Sequence, residues 1–203
     1  RGKGVSRIIN SKVMLSPLAG VTDKIFRKLV RKWAPDSLLF TEMINATSLK
    51  HGYGTQKIKQ LELEQGPIGV QIFDNRPFAV SEAAKLAEDS GAFLIDINMG
   101  CPVKKISRKG GGSALINDRL LAVELVKRVS NAVTVPVTVK TRLGWENKEE
   151  NIEGFLLSLQ DAGAEMITLH GRTRKEGFSG KADWDMIGKI KELLEIPVIA
   201  NGD

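Results

Sequence analysis

The lone cysteine of the chain, Cys101, lies in the stretch NMGCPVKKISRKGGGSAL, residues 98–115, beside Lys104, Lys105, Arg108, Lys109 and a run of glycines. Other chemically capable side chains stand late in apolar runs. Gln71 interrupts IGVQIF, Lys140 interrupts VPVTVKTRL with Arg142 just beyond, His170 and Arg172 follow EMITL, and Asn201, Gly202 and Asp203 close the sequence. Taken singly, a lone cysteine is a common core residue and a histidine can be structural. A lysine or glutamine inside a buried run is harder to place, because a buried ammonium or amide needs a partner. Together the groups suit a planar, polar heterocycle with carbonyls and ring nitrogens, whose chemistry belongs to a cofactor that the protein orients. No metal-ligand spacing appears, since His51, His170 and Cys101 do not make a zinc site. Neither a GxSxG nucleophile turn nor a P-loop occurs.

Such residues need a scaffold that brings successive run ends together. The apolar runs cover 13–18, 37–43, 68–73, 93–99, 135–141, 165–170 and 196–202. They are short, rich in Val, Ile and Leu, and read as strands buried on both faces. Amphipathic patterns lie between them. Asp23 is placed to cap KIFRKLVRKW, and Ser81 lies near the start of the pattern through AAKLAEDSG. Asp118 precedes RLLAVELVKRV, EENIEGFLLSLQDAG has apolar residues at 152, 155, 156 and 159 with Gly163 as a stop, and WDMIGKIKELLE ends before Pro197. The alternation predicts a parallel α/β fold. Seven strands in regular series suggest a (β/α)8 TIM barrel truncated after strand 7, with residues 1–203 as one incomplete domain. A doubly wound open sheet is the alternative, but the expected GxGxxG after the first strand is missing. In a barrel, the strand ends carrying the polar residues form the chemical face.

Composition narrows the partners. The formal charge is +6 and the isoelectric point about 9.4, which fits either an anionic partner such as a nucleic acid or a merely lysine-rich surface. No apolar run reaches the ~20 residues of a membrane span, and the basic start RGKGVSRIINSKVML lacks the apolar length of a signal peptide. A single cysteine forms no internal disulfide, so a reducing, cytoplasmic setting is expected. The sequence starts without Met and stops at VIANGD, and so reads as part of a longer protein.

PLAGVTD, QIF, DINMGCPVKK, GSAL, VPVTVKTRLGW, LHGRTR and NGD, in this order, resemble the tRNA-dihydrouridine synthases, the bacterial B-type branch most of all. The resemblance spans 13–203, although Leu18 stands where many members carry Met. It implies an FMN enzyme that uses NADPH to reduce the C5–C6 bond of specific uridines in tRNA. It further implies that Pro17, Leu18 and Ala19 back the flavin ring, Gln71 contacts its polar edge, and Lys140 stabilises charge on its reduced form. His170 would line the flavin or the uracil, and Asn201, Gly202 and Asp203 would lead to the flavin phosphate. Asn98 would orient the substrate. Hydride would pass to uracil C6 and Cys101 would give the proton to C5, a role open to a thiol because thiols are mostly protonated at neutral pH. Lys104, Lys105, Arg108 and Lys109, with Arg172, Arg174 and Lys175, would hold tRNA phosphates while the target base is unstacked. Two rival functions remain at this point: a flavin-dependent reductase of free pyrimidines or small enones, and a nonenzymatic RNA-binding relative.

Overall fold

The computed structural model describes residues 11–148 and 151–203. The N-terminal basic stretch 1–10 and Glu149–Glu150, which open the fourth amphipathic pattern, lie outside the described residues. Seven strands form one parallel sheet: β1 (Leu39–Phe40), β2 (Ile44–Asn45), β3 (Ile68–Phe73), β4 (Leu94–Met99), β5 (Val137–Arg142), β6 (Met166–His170) and β7 (Val198–Asn201). The order is β1-β3-β4-β5-β6-β7, and β2 also pairs with β3. Spatial order follows chain order without reversal, which excludes the doubly wound alternative. The result is an incompletely closed half-barrel flanked by helices.

Its first two strands are weaker than the sequence suggests. The run 13–18 contributes only a parallel bridge, Leu15 to Leu39, held by Leu15 N–H to the Leu38 carbonyl at 3.1 Å. Pro17 has no N–H to extend it. The run 37–43 holds only the two-residue β1, and β2 follows just beyond it. From β3 onward the expected strands are present.

Helices fill the crossovers: α1 (Lys24–Trp33), α2 (Ala46–Lys50), α3 (Thr55–Lys59), α4 (Pro77–Asp89), α5 (Lys104–Ser107), α6 (Arg119–Ala132), α7 (Ile152–Asp161) and α8 (Trp184–Leu193). Side-chain caps start several of them. Asp23 accepts from the Phe26 N–H at 2.8 Å and Asp118 from that of Leu121 at 3.2 Å, each cap contributing about 1 kcal/mol. Ser81 sits inside α4, which starts at Pro77; its hydroxyl donates to the Phe78 carbonyl at 2.8 Å. Proline pre-sets the first helical position and moves the start upstream of the serine. In α7 all four predicted apolar residues, Ile152, Phe155, Leu156 and Leu159, are buried.

The strands alternate with a period of two. One set of side chains, including Val70, Ile72, Ile95, Ile97, Val137, Val139, Ile167 and Leu169, packs with helix residues such as Val80, Leu125 and Phe155 in one core. Burying each aliphatic side chain contributes about 1.5–3 kcal/mol. The opposite set faces the barrel interior. Near the start of the strands it is apolar, a separate cluster of Leu38, Phe40, Leu94 and Met166 flanked by Met14 and Ile199. Toward the strand ends it turns polar: Gln71 on β3, Asp96 and Asn98 on β4, Thr138, Lys140 and Arg142 on β5, and Thr168 and His170 on β6. Register places these in rows, with Gln71 beside Asp96, Asp96 beside Thr138, Asn98 beside Lys140, and Lys140 beside Thr168.

Candidate functional site

A small cavity of about 40 Å³ opens at this polar end, lined by Met14, Ser16, Pro17, Phe40, Asp96, Lys140, Thr168 and Ile199–Asn201. Residues from both ends of the sheet line it, so the half-barrel curls around a common interior. A roomier concavity of about 780 Å³ runs along α1 and Leu63–Gln65, and none of the polar strand-end groups lines it.

Lys140 sets the electrostatics. Its ammonium makes no hydrogen bond among the described residues. Burial pushes its pKa down to about 8; Arg142 adds to the lowering, while Asp96 and Cys101 oppose it. Asp96 is fully buried, and burial raises its pKa against the hydrogen bonds from Thr138 and Gln71 and the charge of Lys140. A half-buried cation lacking a hydrogen-bond acceptor on the wall of a cavity calls for one from a ligand.

His170 supplies a second, neutral donor. Its Nε2 lies 3.2 Å from the Arg172 guanidinium, which can only donate. Nε2 therefore accepts, and the ring proton resides on Nδ1. Burial lowers the His170 pKa to about 4, helped by Arg142, Lys140 and Arg172 and opposed by Asp203. The imidazole is neutral at ordinary pH.

A chain of side-chain hydrogen bonds crosses β3–β5. The Thr138 hydroxyl donates to Asp96 Oδ1 at 2.6 Å and Gln71 Nε2 to Asp96 Oδ2 at 2.8 Å. Asn98 Nδ2 donates to Gln71 Oε1 at 3.0 Å. Asn98 Oδ1 then accepts from the backbone N–H groups of Gly100 at 3.2 Å and Cys101 at 3.0 Å. The half-buried Cys101 thiol is thus mounted on a loop fixed from the barrel interior. Gly112 closes the loop from outside: at φ +57°, a Cβ there would meet the Cys101 carbonyl at 2.8 Å. Only glycine adopts this conformation and this approach without strain.

Two predicted sets separate. Lys104, Lys105, Arg108 and Lys109 are exposed and have no ion-pair partner among the described residues. Arg172, by contrast, is buried. Its guanidinium donates to the carbonyls of Ser179 at 3.0 Å and Gly180 at 2.7 Å and pairs with Asp203. The structure therefore removes Arg172 from the solvent-facing rim; its donors are consumed by its own loop, His170 and Asp203. Arg174 stacks on Trp145, 4.0 Å from the ring centre, while Lys175 is exposed. Asp203 accepts from the Ala182 N–H at 2.9 Å, so both its oxygens are engaged. Asn201 lines the cavity with Pro17. Leu18 and Ala19 are exposed on a turn held by Leu18 N–H to Thr22 Oγ1 at 3.0 Å and Gly20 N–H to Glu42 Oε1 at 2.6 Å.

Sequence reasoning passed over Asp96 and Thr138 and gave Arg142 no role. Buried Arg142 donates to the carbonyls of Gly100 at 2.9 Å, Thr173 at 3.1 Å and Gly177 at 2.7 Å, tying the Cys101 loop to the loop after β6. The signal that would have found all three is the period-two spacing of Asp96 and Asn98 in LIDIN and of Thr138, Lys140 and Arg142 in VTVKTR. Among the described residues no group of three His, Cys, Asp or Glu side chains could hold a metal ion, and no helix is long and apolar enough to cross a membrane.

Taken together, the strand ends bring an ammonium at the cavity wall, a neutral imidazole and a thiol to one end of the sheet. An acceptor-rich planar ring suits it.

Comparison with known proteins agrees with this chemistry. Residues 14–203 match the family described as Dihydrouridine synthase (Dus). A probable tRNA-dihydrouridine synthase 1 of Synechocystis sp. is 52% identical over 98% of the chain, which covers 56% of that protein. The tRNA-dihydrouridine synthase B of Vibrio parahaemolyticus is 39% identical over 96% of the chain and is covered over 61% of its length. The chain thus spans rather more than half of these curated relatives. Among solved structures, a putative lyase/mutase from Burkholderia cenocepacia superposes with a TM-score of 0.62 at 18% identity, over 98% of this chain and 72% of that one. At that identity the likeness concerns the fold alone.

Proposed function

Because the chain belongs to the dihydrouridine synthase family, we propose that it is the catalytic half-barrel of an FMN-dependent oxidoreductase that reduces the C5–C6 bond of uridines in tRNA, with NADPH as reductant. The observation that carries this reading is the half-buried Lys140 ammonium, without a hydrogen-bond acceptor at the cavity wall, beside a neutral His170 and the mounted Cys101. That donor set fits the pyrimidine edge of a flavin, so the residues present suit the cofactor. Lys140 would face its N1–O2 edge, Ser16–Pro17 and the Leu18–Ala19 backbone would back the ring, and Asn201–Gly202 would lead toward its phosphate. When bound, FMN would supply the hydride for uracil C6.

The protein's own residues supply the rest. Lys140 and the amide N–H groups orient acceptor atoms and stabilise negative charge as it develops in the closed site. The Cys101 Sγ–H gives its proton to C5, so one hydride and one proton complete the reduction. The exposed cations of the β4 loop hold phosphates of a tRNA whose base has left its stack.

The test separates two half-reactions. Cys101→Ala leaves NADPH-dependent bleaching of FMN nearly intact and slows reoxidation by tRNA about 10²–10⁴-fold, with tRNA affinity little changed. Normal tRNA reduction by the variant overturns the acid role. Equal turnover of free uridine and tRNA would favour the small-molecule reductase instead, and NADH tested beside NADPH decides the reductant.

A further inference from the structure

We propose that Asp96 is a positioning residue: its carboxylate fixes the sense of the Gln71 and Asn98 amides and, through them, holds the backbone of Cys101. The inference deepens the reading above and rests on it for the meaning of Cys101, though not for the geometry.

An amide can lie either way round, and each orientation must be set by a neighbour with a fixed role. Asn98 Oδ1 accepts two backbone N–H groups, those of Gly100 and Cys101. Its Nδ2 must then face Gln71 Oε1, and Gln71 Nε2 must face Asp96 Oδ2. The end of the chain has to be a group that accepts, and the carboxyl oxygen Oδ2 of Asp96 does so. The other oxygen of Asp96 takes the Thr138 hydroxyl, so the carboxylate itself cannot turn away without losing a bond. Should Gln71 flip, donor would face donor at Asn98. Should Asn98 follow, its NH₂ would oppose the N–H groups of Gly100 and Cys101. Asp96, Gln71 and Asn98 are all buried, where an unmade hydrogen bond is expensive. The relay is therefore anchored at both ends, by the N–H groups of the loop and, inside the barrel, by a residue that touches neither the loop nor the thiol. Arg142, donating to the Gly100 carbonyl at 2.9 Å, holds the same loop from its other side and leaves the N–H groups to the relay.

Two substitutions divide the role. In Asp96→Asn the carbonyl can still accept from Gln71 while the NH₂ faces the Thr138 hydroxyl, which can accept; the relay survives without the charge. In Asp96→Leu the relay loses its fixed end. Amide hydrogen exchange read by NMR at Gly100 and Cys101 should quicken about five- to tenfold in Asp96→Leu, and less than about twofold in Asp96→Asn. Val139 and Ile167, on the helix-facing side of the sheet, serve as reference amides and should be unchanged in both. Cys101 is the only cysteine, so its alkylation by iodoacetamide gives a second readout, faster by a similar factor in the leucine variant alone. Where Asp96→Leu fails to fold, Gln71→Met cuts the same relay one link later and should reproduce its pattern. Unchanged exchange at Gly100 and Cys101 in the relay-cutting variant overturns the proposal, and so does uniform loosening that includes the reference amides. None of these readings uses turnover. An active Cys101→Ala enzyme would thus remove the acid role while leaving the relay to stand or fall by itself.

Discussion

The loop after β4 and the loop after β6 carry similar basic clusters, KKISRK at 104–109 and RTRK at 172–175. In the first, the four cations stand in solvent on the short helix α5 and the turn that follows. In the second, Arg172 is buried and bonded to carbonyls seven and eight residues along its own chain, and Arg174 lies on Trp145. Guanidinium supplies five donors in a rigid plane and suits the wrapping of a loop, whereas ammonium is a hydrated point charge. Similar formal charge thus serves two ends: internal architecture after β6, and an outward electrostatic surface after β4.

Four measurements put that contrast at risk. Arg142→Met should have the largest effect. It strips donors from three carbonyls across both loops, two of them in buried bonds, so urea titration of the chain should show a loss of about 2–4 kcal/mol, while the salt dependence of tRNA binding keeps its slope. Neutralising Lys104, Lys105, Arg108 and Lys109 together should do the reverse. Stability should change by no more than about 0.5 kcal/mol per site, while the slope of log affinity against log salt should flatten by about 0.7–0.9 for each phosphate no longer neutralised. An unchanged slope would place the RNA footprint elsewhere.

The third measurement uses pH. The His170 pKa lies at about 4 in the fold against an ordinary 6.5. Between those values the unfolded chain binds a proton that the native state does not, so stability rises with pH from 4 to 6.5 and this contribution is complete above. His170→Gln should remove that part of the rise in thermal midpoint, and an identical profile would mean that the imidazole is charged in the fold. The smallest effect belongs to Arg174→Ala, where loss of the stack on Trp145 should lower stability by about 0.5–1 kcal/mol; a larger loss would make Arg174 as architectural as Arg172.

The contrast also marks what sequence conveys. Strands β3 to β6 were legible because each is a short run rich in Val, Ile and Leu that carries polar residues toward its end. The run at 13–18 looked equally good, but a proline at 17 limits backbone pairing, and pattern alone does not weigh that. Lys140, His170, Asn98 and Cys101 were legible as a set because parallel strands bring their ends together. The carbonyl partners of Arg172 were not, since Ser179 and Gly180 bond it through the backbone of its own loop and carry no residue signature. Asp96 was hidden for another reason: within FLIDINM a single carboxylate reads as an interruption until the period of two assigns it to the inner face.

The two faces of each strand have a further consequence, for inheritance. The outward aliphatics meet helices through shape and volume, so Ile, Val and Leu can replace one another there with modest compensation. The inward groups are joined by donors and acceptors whose senses depend on one another, and they change together or not at all. Sequence drift along these strands is therefore expected to run at two speeds, one residue apart. Descendants of one ancestor could exchange most of the outer wall while transmitting the same chemistry unaltered.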